Sequence, residues 1–441
     1  MNLGSFWLRQ LIVLVMALVV GGSATGAWAA PGEENWPAMR GPLASGVAPK
    51  AVPPVAWSET KNVKWKVKIP GAGSASPVVW GNRVFVQTAI PTKAEAAGRG
   101  GLTLPPPTAP LQFVIQCLDR GNGHVLWEKV ACEAVPHEGT HPNGTYASAS
   151  SVTDGEHVWA FFGSRGLYCY DMDGKLVWSK DLGKMKILMG FGEGCSPCLW
   201  GDDLVVNWDD EASSFIVALN KLTGEVIWRQ AREEKTSWAM PVVVEYQGKP
   251  QVVTAATSKV RSYDLATGKL IWECTGLTKN VIPSPVFGDG MVFCMSGYSG
   301  FSALAIKLGG TGDLTGTDNI AWKYGKNTPY VPSPLLYEGR LYFFASNSNA
   351  LTCLEAKTGR VLIDNVKIDG LQEVYSSPVG ADGRVYVVGR NGVTVVLKAA
   401  DTLEVLATNK LEEKIDASPA LVGKEVFLRG KEYLYCICEG P

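Results

Sequence analysis

From Val63 onward, apolar and polar positions alternate in short runs rich in β-branched and aromatic residues, each run closed by Gly, Asp-Gly or Asn. That is the period of half-buried strands. Helical periodicity is almost absent beyond the first thirty residues. One eleven-residue pattern stands out: Ala218 to Trp228 and its near copy Ser262 to Trp272 both read as a strand, a tight Thr-Gly turn and a second strand ending on tryptophan. Recurrence at intervals of 40 to 50 residues marks a repeat protein, whose units share one continuous core.

Each unit opens on Ser-Pro or a variant of it: Ser76-Pro77, Ser150-Ser151, Ser196-Pro197, Met240-Pro241, Ser284-Pro285, Ser333-Pro334, Ser377-Pro378 and Ser418-Pro419. The closings are Trp127, Trp178, Trp228, Trp272 and Trp322, then Ile363 and Leu406. The eighth unit has no closing strand, and the strand around Trp65 has no beginning. A ring of four-stranded sheets leaves no open seam if the first strand completes the last sheet. Residues 62–438 then give about 47 per unit, the size of a propeller blade. The predicted fold is all-β: an eight-bladed β-propeller of four-stranded antiparallel blades, closed by the N-terminal strand around Trp65. Trp65, Trp127, Trp178, Trp228, Trp272 and Trp322 are each expected to pack over the turn of the neighbouring blade.

The first 30 residues read as a cleaved export signal, with Arg9 before the apolar run Leu11–Val20 and small residues Ala27 and Ala29 at the cleavage site. That run is shorter than the roughly 20 residues a membrane-spanning helix needs. No cysteine stands there to carry a lipid. The expected organisation is a signal peptide (1–30), an extended segment lying along the surface (31–61) and one propeller (62–441), in a monomeric periplasmic or extracellular protein. Lysine plus arginine is 41 against 42 acids, a balance that removes nucleic acid and anionic membrane surfaces as partners. Of the ten cysteines, Cys117, Cys169 and Cys353 fall in the Ala218 slot, as small buried strand residues do. Cys195 and Cys198 face opposite sides of an extended chain, which suits neither a disulfide nor one zinc ion.

In a blade whose first strand lies at the axis, the connection into that strand and the loop between strands two and three share one face. Two insertions, residues 89–110 and 132–147, fall there as neighbours. The second holds His137, His141, Asn143 and Tyr146, candidates for a ligand-facing rim; Asn143-Gly144-Thr145 is also a glycosylation sequon. On the same face Asn207 and Asp209, in a turn with two further acids, are read as a solvated turn or a hard-cation site. Trp238, Tyr330 and Tyr375 each precede an inner strand, where an aromatic ring can stack on a flat ligand. A third insertion, residues 307–319, belongs to the opposite face and lacks the lysine of a phosphate loop. No catalytic constellation is evident.

The closings Cys117–Trp127, Ala218–Trp228 and Ser262–Trp272 resemble the tryptophan-docking motif of the pyrroloquinoline quinone (PQQ)-like eight-bladed propellers, over roughly residues 36–438. Trp36 to Pro42, His141 to Ser148 and Thr328 to Pro334 resemble the exported planctomycete-type members. More distant resemblances are the propeller lipoprotein of outer-membrane barrel assembly and the quinoprotein alcohol dehydrogenases. The dehydrogenases imply PQQ and calcium, but also adjacent cysteines and a haem-attachment motif, neither of which occurs here. The expectation is therefore a non-catalytic exported propeller without a cofactor, binding a protein, peptide or glycan at its rim or channel. The alternative is a PQQ- and calcium-dependent oxidoreductase.

Overall fold

The computed structural model describes residues 34–94 and 101–440. The expected export signal (1–30) and part of the first insertion (95–100) lie outside the described residues. Eight antiparallel sheets follow one another along the chain, seven with four strands and one with five. The first is Val78–Trp80, Arg83–Pro91, Leu111–Asp119 and Val125–Ala134, in that spatial order. The eighth takes three strands from Ala420 to Cys438 and its outermost from Val63–Lys68 at the other end of the chain.

The register explains the sequence repeat. Opposite each closing tryptophan stands a small, buried residue of the third strand: Cys117 for Trp127, Cys169 for Trp178, Ala218 for Trp228, Ser262 for Trp272 and Ala305 for Trp322. Trp65 faces Cys436 in the same way. A bulge beside the tryptophan recurs in these sheets and tilts the outer strand. The indole Nε1 then donates to a carbonyl of the following sheet: Trp65 to Arg120 (2.9 Å), Trp127 to Met172 (2.8 Å), Trp178 to Lys221 (2.9 Å), Trp228 to Leu265 (2.6 Å) and Trp322 to Ala356 (2.9 Å). The ring lies on the turn glycine so closely that a Cβ on Gly224 would stand 2.8 Å from Trp178.

Trp272 departs from the expected docking. It is fully buried, and its indole donates to Gln251 Oε1 within its own sheet (3.2 Å). The insertion of residues 307–319 has replaced the tight turn that would have received it. Gly312–Asp313 of that insertion pairs in parallel with the outer strand Leu270–Cys274 as its fifth strand, and Leu314 joins the cluster around Trp272.

The segment before the first strand is also corrected. It does not lie on the surface: Trp36, Arg40, Ala48, Ala51 and Trp57 are all buried. Trp36 pairs with Val79 of the first sheet, Thr153 of the second donates to Pro37, and Gly46 and Ala48 bond Gly380 of the seventh. The chain therefore crosses the channel. At the crossing Arg40 donates to the carbonyls of Ser45, Pro334 and Pro378 at 2.9–3.1 Å. Burial pulls its pKa down to about 9, which leaves it charged at neutral pH. Apolar seams between adjacent sheets make up the core. All ten cysteines are free, eight of them buried. Among the described residues, no helix is long and apolar enough to cross a membrane.

Candidate functional site at the channel mouth

The strap of residues 36–48 divides the channel into two spaces. On the face carrying the turns after the inner strands, a funnel of about 710 Å³ is lined by strap residues including Pro37, Leu43 and Val47 and by apolar groups including Leu199, Phe287 and Leu336. On the rim face lies a chamber of about 400 Å³, with Met39 of the strap among its lining residues.

The chamber floor gives the Ser-Pro openings their physical reason. Six of the serines, all but Ser76, accept through Oγ a backbone N–H from the preceding blade: Ser76 N to Ser150 (2.8 Å), Ser150 N to Ser196 (2.9 Å), Met240 N to Ser284 (3.0 Å), Ser284 N to Ser333 (3.0 Å), Ser333 N to Ser377 (2.9 Å) and Ser377 N to Ser418 (2.9 Å). Inner strands at the axis are too close to hide unpaired N–H groups, so a short hydroxyl side chain bridges each pair. The relay is interrupted at the fourth blade, where Met240 replaces serine and the Cys195 thiol donates to Ala239 O instead (3.3 Å).

Aromatic side chains wall the chamber. Trp238, Tyr330 and Tyr375 line it together, as their positions before inner strands predict. Tyr298 and Phe191, which carried no sequence signal, complete the wall; Tyr298 lies 4.9 Å from Tyr330 between ring centres. Trp238 is fixed by donation to Gly192 O (2.8 Å). His141 and Asn143 line the chamber too, and their loop reaches across the mouth: Asn143 Nδ2 donates to the hydroxyl of Tyr375, on the seventh blade (3.1 Å). His141 Nδ1 accepts Asn143 N–H (3.1 Å), and its ring meets Phe191 edge-on. Burial first, and then the Arg390 charge, lower the His141 pKa, so it is neutral at physiological pH. The two rim insertions are neighbours as expected, joined by paired bonds between Leu104 and Thr140.

Four sequence candidates do other work. His137 is turned away from the chamber: Arg165 donates to its Nδ1 (2.8 Å), so Nε2 carries the proton and donates to Met185 O (2.7 Å). Tyr146 donates to Glu138 O within its own loop (3.0 Å). Asn207 and Asp209 form no solvated turn. Both are buried, and Asp209 holds Arg232 through two bonds (2.8 and 3.1 Å) while accepting from Asn207 and Ser237. Burial pulls the Arg232 guanidinium down, but the Asp209 carboxylate outweighs it and holds it above its ordinary value. With its lone pairs so used, Asp209 is a structural anchor between blades three and four. Among the described residues, no group of three or more His, Cys, Asp or Glu could hold a metal ion.

The charged groups around the chamber are already engaged by protein partners. Arg390 lies over the Tyr375 ring (4.0 Å) and bonds Asp416 (2.5 Å) and Glu373 (3.0 Å). Glu193 accepts from Ser164 N and Oγ (2.5 and 2.6 Å); burial pushes its carboxyl up despite these donors.

Comparison with known proteins supports the architecture. The sequence profile of the family described as outer membrane protein assembly factor BamB matches residues 112–362 and, in a second register, 212–439. The chain belongs to this family of PQQ-like propellers. The assembly factor BamB of Francisella salina is 26% identical over 176 residues, covering 39% of this chain and 30% of that protein's length. The crystal structure of BamB from Moraxella catarrhalis superposes with a TM-score of 0.55 at 13% identity, over 85% of this chain and 99% of that one. Quinohemoprotein alcohol dehydrogenase from Comamonas testosteroni gives 0.59 at 11% identity, over 92% and 80%. The computationally designed Ika8 protein gives 0.56 at 13% identity, over 88% and 100%. At such identities the likeness is one of fold alone.

Proposed function

We propose that this chain is an exported, monomeric, non-catalytic binding propeller that recognises its partner at the chamber on the rim face. The observation that carries the reading is the chamber itself: aromatic walls and a hydroxyl floor around a space of ligand size, with Arg390 and Asp416 paired to each other and Glu193 hydrogen-bonded to Ser164. The docked tryptophans and the strand Val63–Lys68, which joins the two ends of the chain, make the scaffold a closed and rigid clasp. Likeness to BamB, an assembly factor by its description, supports a scaffold role and an export destination. The partner class is a protein, a peptide or a glycan.

A PQQ-dependent reading is disfavoured by the donor set. PQQ carries three carboxyl groups and asks for unpaired cations, whereas Arg390, the guanidinium beside the mouth, is shared by Asp416 and Glu373. Calcium asks for several carboxylate oxygens, and Glu193 has its pKa raised and its oxygens taken by Ser164. These residues do not fit the quinone or its metal, and the reading includes no cofactor. The test is titration of PQQ with calcium into the purified protein, read by tryptophan fluorescence and dye-linked alcohol oxidation. No quenching and no turnover are expected; saturable, calcium-dependent quenching with turnover would overturn the reading.

A further inference from the structure

The chamber's lining has a more specific chemistry than a general rim. Ser76, Ser150, Ser284, Ser333, Ser377 and Ser418 all line it, and each Oγ apart from that of Ser76 already accepts a backbone N–H. Among the described residues, none of these six hydroxyl hydrogens has an assigned acceptor, so each is left to donate. The floor is thus a circle of hydroxyl donors held in place by the fold. Above it stand the aromatic rings of the Tyr298–Tyr330 pair, Trp238 and Tyr375, the last with Arg390 over one of its faces. Asn143 and His141 lie at the mouth with amide and imidazole groups, the imidazole neutral.

A ligand matched to this lining has many oxygen acceptors, apolar C–H faces to lay on aromatic rings, and no net charge. An anion would meet no free cation, because Arg390 is doubly paired; a cation would have to compete with Arg390 for Asp416, or with Ser164 N and Oγ for Glu193, the other lining carboxyl, which burial disfavours in its charged form. We propose that the rim-face chamber binds a short neutral saccharide, its ring faces stacked on Tyr330 and Trp238 and its oxygens accepting from the serine circle. This inference rests on the chamber being the recognition site. It names the ligand class for that site, and the loop carrying Asn143 lies across the path by which the ligand enters.

The experiment is calorimetric titration of the full mature chain with a panel of neutral mono- to tetrasaccharides, beside a panel of short uncharged and charged peptides. Tyr330→Ala is expected to weaken saccharide binding by about tenfold or more, as loss of a stacking ring does, while Tyr330→Phe stays within about threefold. Ser333→Ala is expected to weaken it several-fold, with the melting temperature of each variant measured alongside. Affinity for a neutral ligand should be almost unchanged between about 0.05 and 0.5 M salt. Peptide binding that is lost in Tyr330→Ala, with no saccharide binding, overturns the saccharide assignment and leaves the chamber as the site. Saccharide binding unaffected by Tyr330→Ala, or steeply salt-dependent, also overturns it. A partner whose binding is blocked from the opposite funnel and not by Tyr330→Ala overturns the chamber reading as well.

Discussion

At the rim face the repeat has been lengthened: the loop of residues 137–147 reaches across the mouth through the Asn143–Tyr375 hydrogen bond, and polar and aromatic side chains line the space beneath it. At the opposite face the funnel is largely apolar, the one long insertion, 307–319, is tied down as a fifth strand beside Leu270–Cys274, and Trp36 and Arg40 of the strap are fully buried. One repeat thus gives a mouth held by half-buried, replaceable contacts and a strap held by fully buried ones. The difference separates recognition from stability. Side chains at the mouth can change the ligand at little cost to folding, while those of the strap set whether the ring forms.

Substitutions at the two ends should therefore fall into two classes. The largest effect is expected for Trp36→Ala, which empties a packed site beneath the first blade and costs about 3–5 kcal/mol in a denaturant melt. A loss under about 1 kcal/mol would mean that the strap is an ornament. Asp209→Ala tests a residue that sits on the rim side yet is buried: stranding Arg232 should cost about 3 kcal/mol. If the melt were unchanged and ligand affinity fell instead, Asp209 would belong with the mouth.

Gly46→Ala sharpens the strap side. Its backbone holds φ +86, and a Cβ there would run into the Arg40 guanidinium, so a loss of about 1–3 kcal/mol is expected. Tyr375→Phe probes the mouth. It removes the hydroxyl that accepts from Asn143 and should cost no more than about 1 kcal/mol, while hydrogen exchange across residues 137–147 speeds up. Protected exchange there would show that the loop is as rigid as the strap.

The smallest expected effect is one of pH. His141 has its pKa held below the ordinary value of 6.5 by burial and by Arg390. Below that ordinary value the unfolded chain takes up a proton that the folded loop resists. The contribution is therefore complete above it and is lost as pH falls through the lower folded pKa. Protection of residues 137–147, taken relative to the intrinsic exchange rate at each pH, should fall on going from neutral to mildly acidic pH, and His141→Gln should flatten that response. No change with pH would remove His141 from the mouth.

Much of this was legible in the sequence because the repeat is written in it eight times. Strand period, turn glycines, small residues opposite tryptophan and the need for Trp65 to complete the last sheet follow from local chemistry and from closing a ring. Trp238, Tyr330 and Tyr375 could be placed at the mouth because each stands four or five residues before an inner strand. The rest depended on contacts between distant parts of the chain. The segment around Arg40 shows no periodicity, since its partners, Pro334 and Pro378, lie some 300 residues away. Asp209 looked like a solvated acid until Arg232 was placed against it. His137 and His141, four residues apart, were separated by which way their loop turned. The sequence alone determined the blade and the number of blades, because those rest on nearest-neighbour patterns. Only the tertiary structure decided which polar groups were used up in holding blades together and which were left to meet a ligand, because a hydrogen-bonding group is committed by its neighbours in space.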